Sequence, residues 1–337
     1  MTPPPSARDR RARLLGAGGL LLGLALLLLG ASTGSTGIDA VWQALDDEFA
    51  RRIVLDIRLP RSLGSWLAGA LLALAGGIAQ GLFRNPLADP YLLGSASGAS
   101  LGVAGWLMLF GGSPATLQWL ARLGLTGAAF AGATAGVLLT LVLAGGVRHR
   151  LRLLLAGVIV GMVLGSASSL IALLTPEILQ AMQAFMLGST GFIGWAGCGV
   201  MAGGLALCLA VALLLARMLD ALALGETTAL SLGLPLGAMR AALIGALALA
   251  TGCAVAQTGL VAFVGLVAPH LVRARIRTTH GPMLLLSAIT GGALLLAADL
   301  FARWIIRPQE LPVGSVTAVI GGGYLLWLMH RGRGLDE

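Results

Sequence analysis

No lysine occurs anywhere in the 337 residues. All 22 basic residues are arginine, set against 14 acids for a formal net charge of +8. The absence excludes two chemistries. A GxxxxGK[ST] phosphate loop needs its lysine to reach the β- and γ-phosphates, and Schiff-base or lysine general-base catalysis needs the amine itself. If ATP drives this chain, another chain must hydrolyse it. Charge of either sign is scarce. Asp, Glu, Lys and Arg make up 11% of the residues while hydrophobic types make up 57%, against about 25% charged in an ordinary soluble domain. That balance excludes disorder and a soluble enzyme. Aromatic residues are only 5%, and no basic stretch is interleaved with them, which argues against nucleic acid.

Histidine and cysteine are also few. The four histidines, His149, His270, His280 and His330, fall at the ends of apolar runs and none sits mid-run beside a carboxylate. A carrier of bare transition metal would need such ligands along its path, and a proton-coupled carrier would need an intramembrane relay. Cys198, Cys208 and Cys253 lie inside apolar stretches without CxxC spacing and read as small buried hydrophobes. No metal site or bound cofactor is expected in this chain.

What remains is a polytopic α-helical membrane protein, because the apolar runs are continuous and approach the ~20 residues that cross a bilayer. The runs predict ten spans: 14–30, 63–83, 93–110, 123–143, 153–174, 193–215, 241–257, 260–272, 283–300 and 313–329. The first follows Arg8, Arg10, Arg11 and Arg13 and could be mistaken for a signal peptide. Its length and the loose Ala31-Ser32-Thr33 site favour an uncleaved span after a cytoplasmic tail at 1–13. Between the first two spans, Asp47–Arg51 and Glu48–Arg52 are i,i+4 pairs that suit a solvated helix.

Ten spans put both termini on one side. Arginines 8, 10, 11, 13, 84, 148, 150, 152, 217, 240, 273, 275, 277, 331 and 333 then face the cytoplasm, and 51, 52, 58, 61, 122, 303 and 307 face outward. This asymmetry fits cytoplasmic termini. Asp299 is the acid nearest a span core, four residues from Arg303, which suggests a local ion pair.

Two glycine series repeat every fourth residue: Gly94, Gly98, Gly102 and Gly157, Gly161, Gly165. On a helix each lines one face and admits a neighbouring backbone, as packing within the subunit or as a dimer seam. Ser95, Ser97 and Ser100 read as packing or path-lining hydroxyls. Ser97 as the nucleophile of an intramembrane hydrolase would need a histidine in reach, and no mid-membrane histidine is available.

Seven segments in register then resemble one family. They are Arg58-Leu59-Pro60-Arg61; Gln80 with Arg84-Asn85-Pro86-Leu87-Ala88-Asp89-Pro90 and Leu93-Gly94; Leu155-Ala156-Gly157; Leu222-Ala223-Leu224-Gly225-Glu226; Phe263-Val264-Gly265-Leu266 with Pro269-His270 and Arg273; Asp299 with Ala302-Arg303; and Glu310-Leu311-Pro312-Val313-Gly314. Together they resemble the FecCD-type permeases of type II ABC importers for iron–siderophores, haem or vitamin B12. The resemblance implies a ten-helix subunit of the bacterial cytoplasmic (inner) membrane that forms a homodimer. It also implies two cytoplasmic ATPase subunits, which use ATP and Mg, and a periplasmic or lipid-anchored binding protein. Arg58, Arg61 and Arg303 would dock acidic residues of that binding protein, a task suited to guanidinium. The loop 217–237, with Leu224, Gly225, Glu226, Ala229 and Gly233, would form short helices that couple to the ATPase. Gly98, Gly157 and Gly161, with Ser95 and Ser97, would serve the path or the packing. The family's usual Asp-His-Arg reads Thr279-His280-Gly281 here, its Gly-x-Pro near the last span reads Gly321-Gly322-Gly323, a frequent Trp before Gly188 is Phe185, and Asp220 stands where Asn is common. A secondary carrier is the other transport reading.

Overall fold

The computed structural model describes residues 7–33, 47–110, 118–147, 149–306 and 308–333. The expectations placed on Arg148 and Arg307 lie outside the described residues, as do those on the side chains of Arg8, Arg122, Arg150, Arg331 and Arg333. Among the described residues the regular structure is entirely helical. The helices are α1 (Ala7–Ser32), α2 (Glu48–Arg52), α3 (Leu59–Phe83), α4 (Ser95–Phe110), α5 (Gln118–Leu143), α6 (Arg150–Leu174), α7 (Leu179–Leu187), α8 (Trp195–Leu214), α9 (Ala216–Leu224), α10 (Glu226–Ser231), α11 (Leu236–Thr258), α12 (Val264–Arg275), α13 (His280–Trp304) and α14 (Val313–Arg333). Seven helical stretches are long and apolar enough to cross a membrane, and Ser95–Phe110 and Val313–Leu328 are shorter apolar helices.

The core forms around α3. Its residues are apolar or small on every side, the pattern of a helix surrounded by others, and Leu71, Leu72, Leu74 and Ile78 are fully buried. Glycine sets the closest crossings. A Cβ on Gly69 would lie 2.2 Å from the Gly291 carbonyl oxygen of α13, and one on Gly76 would lie 1.8 Å from that of Gly265 in α12. Gly98 and Gly132 face each other between α4 and α5 in the same way, and a Cβ on either would lie 2.2 Å from the other's carbonyl oxygen. Small residues let backbones approach in this way where apolar burial alone does not drive helices together.

Three elements differ from the sequence expectation. The polar helix α2 runs into α3 through a π-helical turn, Ile53–Arg58, instead of standing apart. Its Glu48–Arg52 pair forms at 2.7 Å, whereas Asp47 caps the helix through the Phe49 N–H at 3.0 Å. Second, α7 fills a stretch that hydropathy left unassigned, since nine residues make only a short apolar face. Third, α12 begins at Val264, four residues later than its apolar run suggests, because Gly259 (φ +67) and Phe263 (φ +68) take left-handed backbone. Twelve residues rise about 18 Å, short of the ~30 Å hydrocarbon thickness.

The non-helical backbone before α12 is satisfied by protein groups. Leu260 N–H donates to Phe185 O at 3.0 Å, Ser189 N–H to Thr258 O at 2.7 Å, and Gly314 N–H to Gly188 O at 3.4 Å. The Tyr91 hydroxyl donates to Val261 O at 3.1 Å. Gly188, Gly259 and Gly314 meet here, and a Cβ on any of them would lie 2.3 Å from a backbone oxygen.

Candidate functional site: two charged ends and an open helix face

At one end of the bundle, where α1 and α13 finish and α3 begins, a carboxylate sits under two guanidiniums. Asp299 is 1% exposed. Its Oδ1 accepts from Arg61 Nη2 at 3.1 Å and from the Thr190 hydroxyl at 2.5 Å, and its Oδ2 accepts from the Ser65 hydroxyl at 3.1 Å and from Arg303. Arg61 Nη1 also donates to Glu310 at 2.8 Å. Two acids thus meet two arginines. A buried carboxylate requires such partners, since desolvation alone would neutralise it.

The three arginines expected to dock a partner are placed unequally. Arg303 is 2% exposed and lies wholly within the ion cluster. Arg61 is 13% exposed, between Asp299 and the more exposed Glu310. Arg58 is half-buried and donates to the Ser32 carbonyl at the end of α1 at 3.2 Å. The expected Asp299–Arg303 pair forms. The additions of Arg61, Thr190 and Ser65 had no sequence signal, because they come from residues 109 to 238 positions away.

The opposite end carries the paired short helices α9 and α10. Gly225 (φ +128, ψ 152) separates them in a conformation open essentially to glycine. Glu226 opens α10 and pairs with the buried Arg240 of α11 at 2.9 Å. Ala229 is fully buried beneath α10, and Gly233 (φ +71) ends the segment. Leu224, Leu230 and Leu232 project outward, 75%, 57% and 62% exposed. Only Leu224 of these three was singled out from the sequence. Asp220 of α9 accepts from both the His280 backbone N–H (2.9 Å) and its Nδ1 (2.7 Å), tying α9 to the start of α13. Asp220 is a departure from the family pattern, whereas His280 keeps the family's histidine between the departures Thr279 and Gly281.

Between the ends, the two glycine series separate. Gly98 and Gly102 pack on α5, and Gly157 on the Leu92 carbonyl, where a Cβ would lie 2.1 Å away. Gly161 and Gly165 meet only the Ser97 side chain, at 3.6–3.7 Å. They line an open cavity of about 570 Å³ along α6 with Met162, Ser166 and Ser169. Ser95 is buried at the start of α4, and Ser97 faces α6.

The link from α3 to α4 is rigid. Asn85 Oδ1 accepts from Leu87 N–H at 2.9 Å and Asp89 Oδ1 from Tyr91 N–H at 2.8 Å, the side-chain turns these residue types favour. Burial pushes the Asp89 carboxyl up to about 6, partly opposed by the Tyr91 N–H. Burial, with Asp89 beside it, also raises the Tyr91 phenol.

Comparison with known proteins adds a consistent picture. The FecCD transport family matches residues 20–331. The haemin transport system permease protein HmuU of Yersinia pestis is 36% identical over 322 residues, covering 94% of this chain and 95% of HmuU. The vitamin B12 import system permease protein BtuC of Escherichia coli O9:H4 is 36% identical over 320 residues, covering 93% and 95%. A metal-chelate type ABC transporter solved in an inward-facing conformation superposes with a TM-score of 0.84 at 27% identity, covering 95% of this chain and 99% of that one.

Proposed function

The chain belongs to the FecCD transport family, and from that premise we propose how its ends and open face serve an ATP-driven importer. It is a permease subunit of an ABC importer, not an enzyme; ATP hydrolysis belongs to a separate subunit. In our reading residues 1–337 form one permease domain with ten spans, namely α1, α3 to α6, α8 and α11 to α14. Both termini lie in the cytoplasm of a bacterium. Two copies pair in the lipid of the inner membrane. Two ATPase subunits sit against α9 and α10, and a periplasmic or lipid-anchored binding protein delivers a bulky metal chelate to the Asp299 end. Haem, ferric siderophore and cobalamin all belong to that class.

The carrying observation is the bare apolar trio on the α9–α10 pair, Leu224, Leu230 and Leu232. Clustered exposed leucines at a polar end of a bundle mark a partner surface. Gly225 lets the chain turn sharply from α9 into α10, both of which bury one face in the core, and the Glu226–Arg240 bridge carries displacement of α10 into α11. At the other end, Arg58 makes direct contact with the binding protein and Arg61 presents Glu310 at the rim. Arg303 acts from below by fixing Asp299, which fixes Arg61. Along the path, the Gly161–Gly165 face with Ser97 offers small and hydroxyl groups without charge, so a large ligand meets no tight site.

The test is reconstitution of the chain with its ATPase and binding protein in vesicles. We expect ATP-dependent uptake of one chelate and ATPase activity stimulated by the loaded binding protein. Uptake that persists without the ATPase would favour a secondary carrier.

A further inference from the structure

A cavity of about 440 Å³ opens at the α9–α10 end, between the last turns of α3 and α12 and the first turn of α13. Arg84, Arg273 and Arg277 line it, with Gln80, Thr278 and His280. No carboxylate is among its lining residues. Arg273 donates to the neutral Gln80 side chain and has no carboxylate partner among the described residues. Arg84 and Arg277 are exposed and make no ion pair among the described residues. Arg84 also holds a left-handed backbone (φ +48) as the cap of α3, where glycine is the usual occupant. The two helix C-termini that meet here offset about half a charge each and the Asp220 carboxylate lies behind His280, which leaves the cavity net positive.

Ordinary charge flanking of a span does not need three guanidiniums around one recess. We propose that this cavity binds a phosphate-type oxyanion, either free phosphate or the headgroup of an anionic phospholipid. Arginine forks match tetrahedral oxyanions by paired N–H donors, and the Thr278 hydroxyl adds a neutral donor. His280 lies on the wall and is held by Asp220 of α9. An occupant therefore stiffens the joint between the cavity and the coupling helices and adjusts the ATPase response. That consequence rests on the importer reading, whereas anion binding does not, so the two can fail separately.

The experiment uses the full-length permease. Inorganic phosphate is titrated against protein in neutral detergent at constant ionic strength, followed by thermal unfolding and 31P NMR line width. A second arm places the protein in phosphatidylcholine nanodiscs with or without phosphatidylglycerol. Saturable stabilisation by phosphate, or by phosphatidylglycerol alone, supports the site and names its source. Arg84→Gln and Arg277→Gln should each weaken binding roughly tenfold, the loss expected for one bidentate charged contact. Arg275→Gln removes the same charge two residues away, outside the lining, and should leave binding intact. Three results would overturn the proposal: no stabilisation in either arm, equal loss in Arg275→Gln, or expulsion of phosphate when the ATPase is added. The last would assign the cavity to an acidic segment of that partner.

Discussion

The two ends of this bundle handle charge in opposite ways. At the Asp299 end, two acids and two arginines neutralise one another, and the central carboxylate has four side-chain donors. At the α9–α10 end, Arg84 and Arg277 remain exposed beside a recess, and leucines stand bare. The first arrangement pairs its buried charges with one another, although Arg61 Nε and Arg303 Nε find no acceptor among the described residues, while the second leaves exposed guanidiniums without a carboxylate. Burial is therefore a better guide to role than residue type. Arg303, in the last turn of α13, is a structural counter-ion, whereas Arg277, two residues past α12, makes no ion pair among the described residues.

Four groups of changes would break or sharpen that contrast. The largest effect is expected for Asp299→Ala, which leaves Arg303 buried without its counter-ion and Arg61 with Glu310 alone. A loss of about 3–5 kcal/mol follows from uncompensated buried charge, read as a fall in the unfolding midpoint in detergent. Asp299→Asn should lose less, and equal stability of the alanine variant would show that the cluster is dispensable.

Next come the two glycine faces. Gly98→Ala forces a methyl into the Gly132 carbonyl and should cost about 1–3 kcal/mol by overpacking. Gly161→Ala meets only Ser97 Oγ at 3.7 Å, so stability should stay within about 0.5 kcal/mol while chelate uptake slows. Unfolding curves and vesicle uptake on the same pair of variants decide between packing and path.

Smaller effects concern the partner surfaces. Arg58→Glu should slow binding-protein association by about tenfold at low salt and less at high salt, as reversal of a rim charge does. Stopped-flow mixing at two ionic strengths measures it. Glu226→Arg sets a cation against buried Arg240 and should lower uptake per ATP hydrolysed; unchanged coupling would remove the bridge from the transmission path.

Last comes the pH response of the turn between α3 and α4. The folded Asp89 carboxyl lies at about 6, above its ordinary value near 3.8. Folding therefore favours its protonated form. The contribution to stability is full below about pH 3.8 and fades as pH rises through about 6. Asp89→Asn keeps the acceptor for Tyr91 N–H and should flatten the stability profile across that window. An unchanged slope would place the titration elsewhere.

The sequence made the local features legible. Apolar runs located the long helices because twenty residues of one character can do only one thing in a bilayer, and Asp299–Arg303 is visible because its spacing is one helical turn. The α9–α10 pair was foreseeable only through family resemblance. What stayed hidden depends on residues far apart in the chain. Nothing in the sequence says that Thr190 reaches Asp299, that Asp220 holds His280 or that Gly98 faces Gly132. Nor does four-residue spacing say whether a glycine meets backbone or open space: Gly98, Gly102 and Gly157 meet backbone, whereas Gly161 and Gly165 do not. Helix α7 and the late start of α12 were hidden for another reason: short segments inside a bundle are shaped by their neighbours rather than by their own hydropathy.

The backbone before α12 limits how the protein can rearrange. Residues 259–263 lack a helix of their own, and their peptide groups depend on Phe185 and Tyr91. Exposing those peptides to lipid would cost several kcal/mol per group. The Leu187–Gly188 corner, the Gly259–Phe263 stretch and the head of α14 are therefore expected to move together as a block in a transport cycle. The flexing joints then have to lie at that block's margins, where solvent or regular helix can absorb the change.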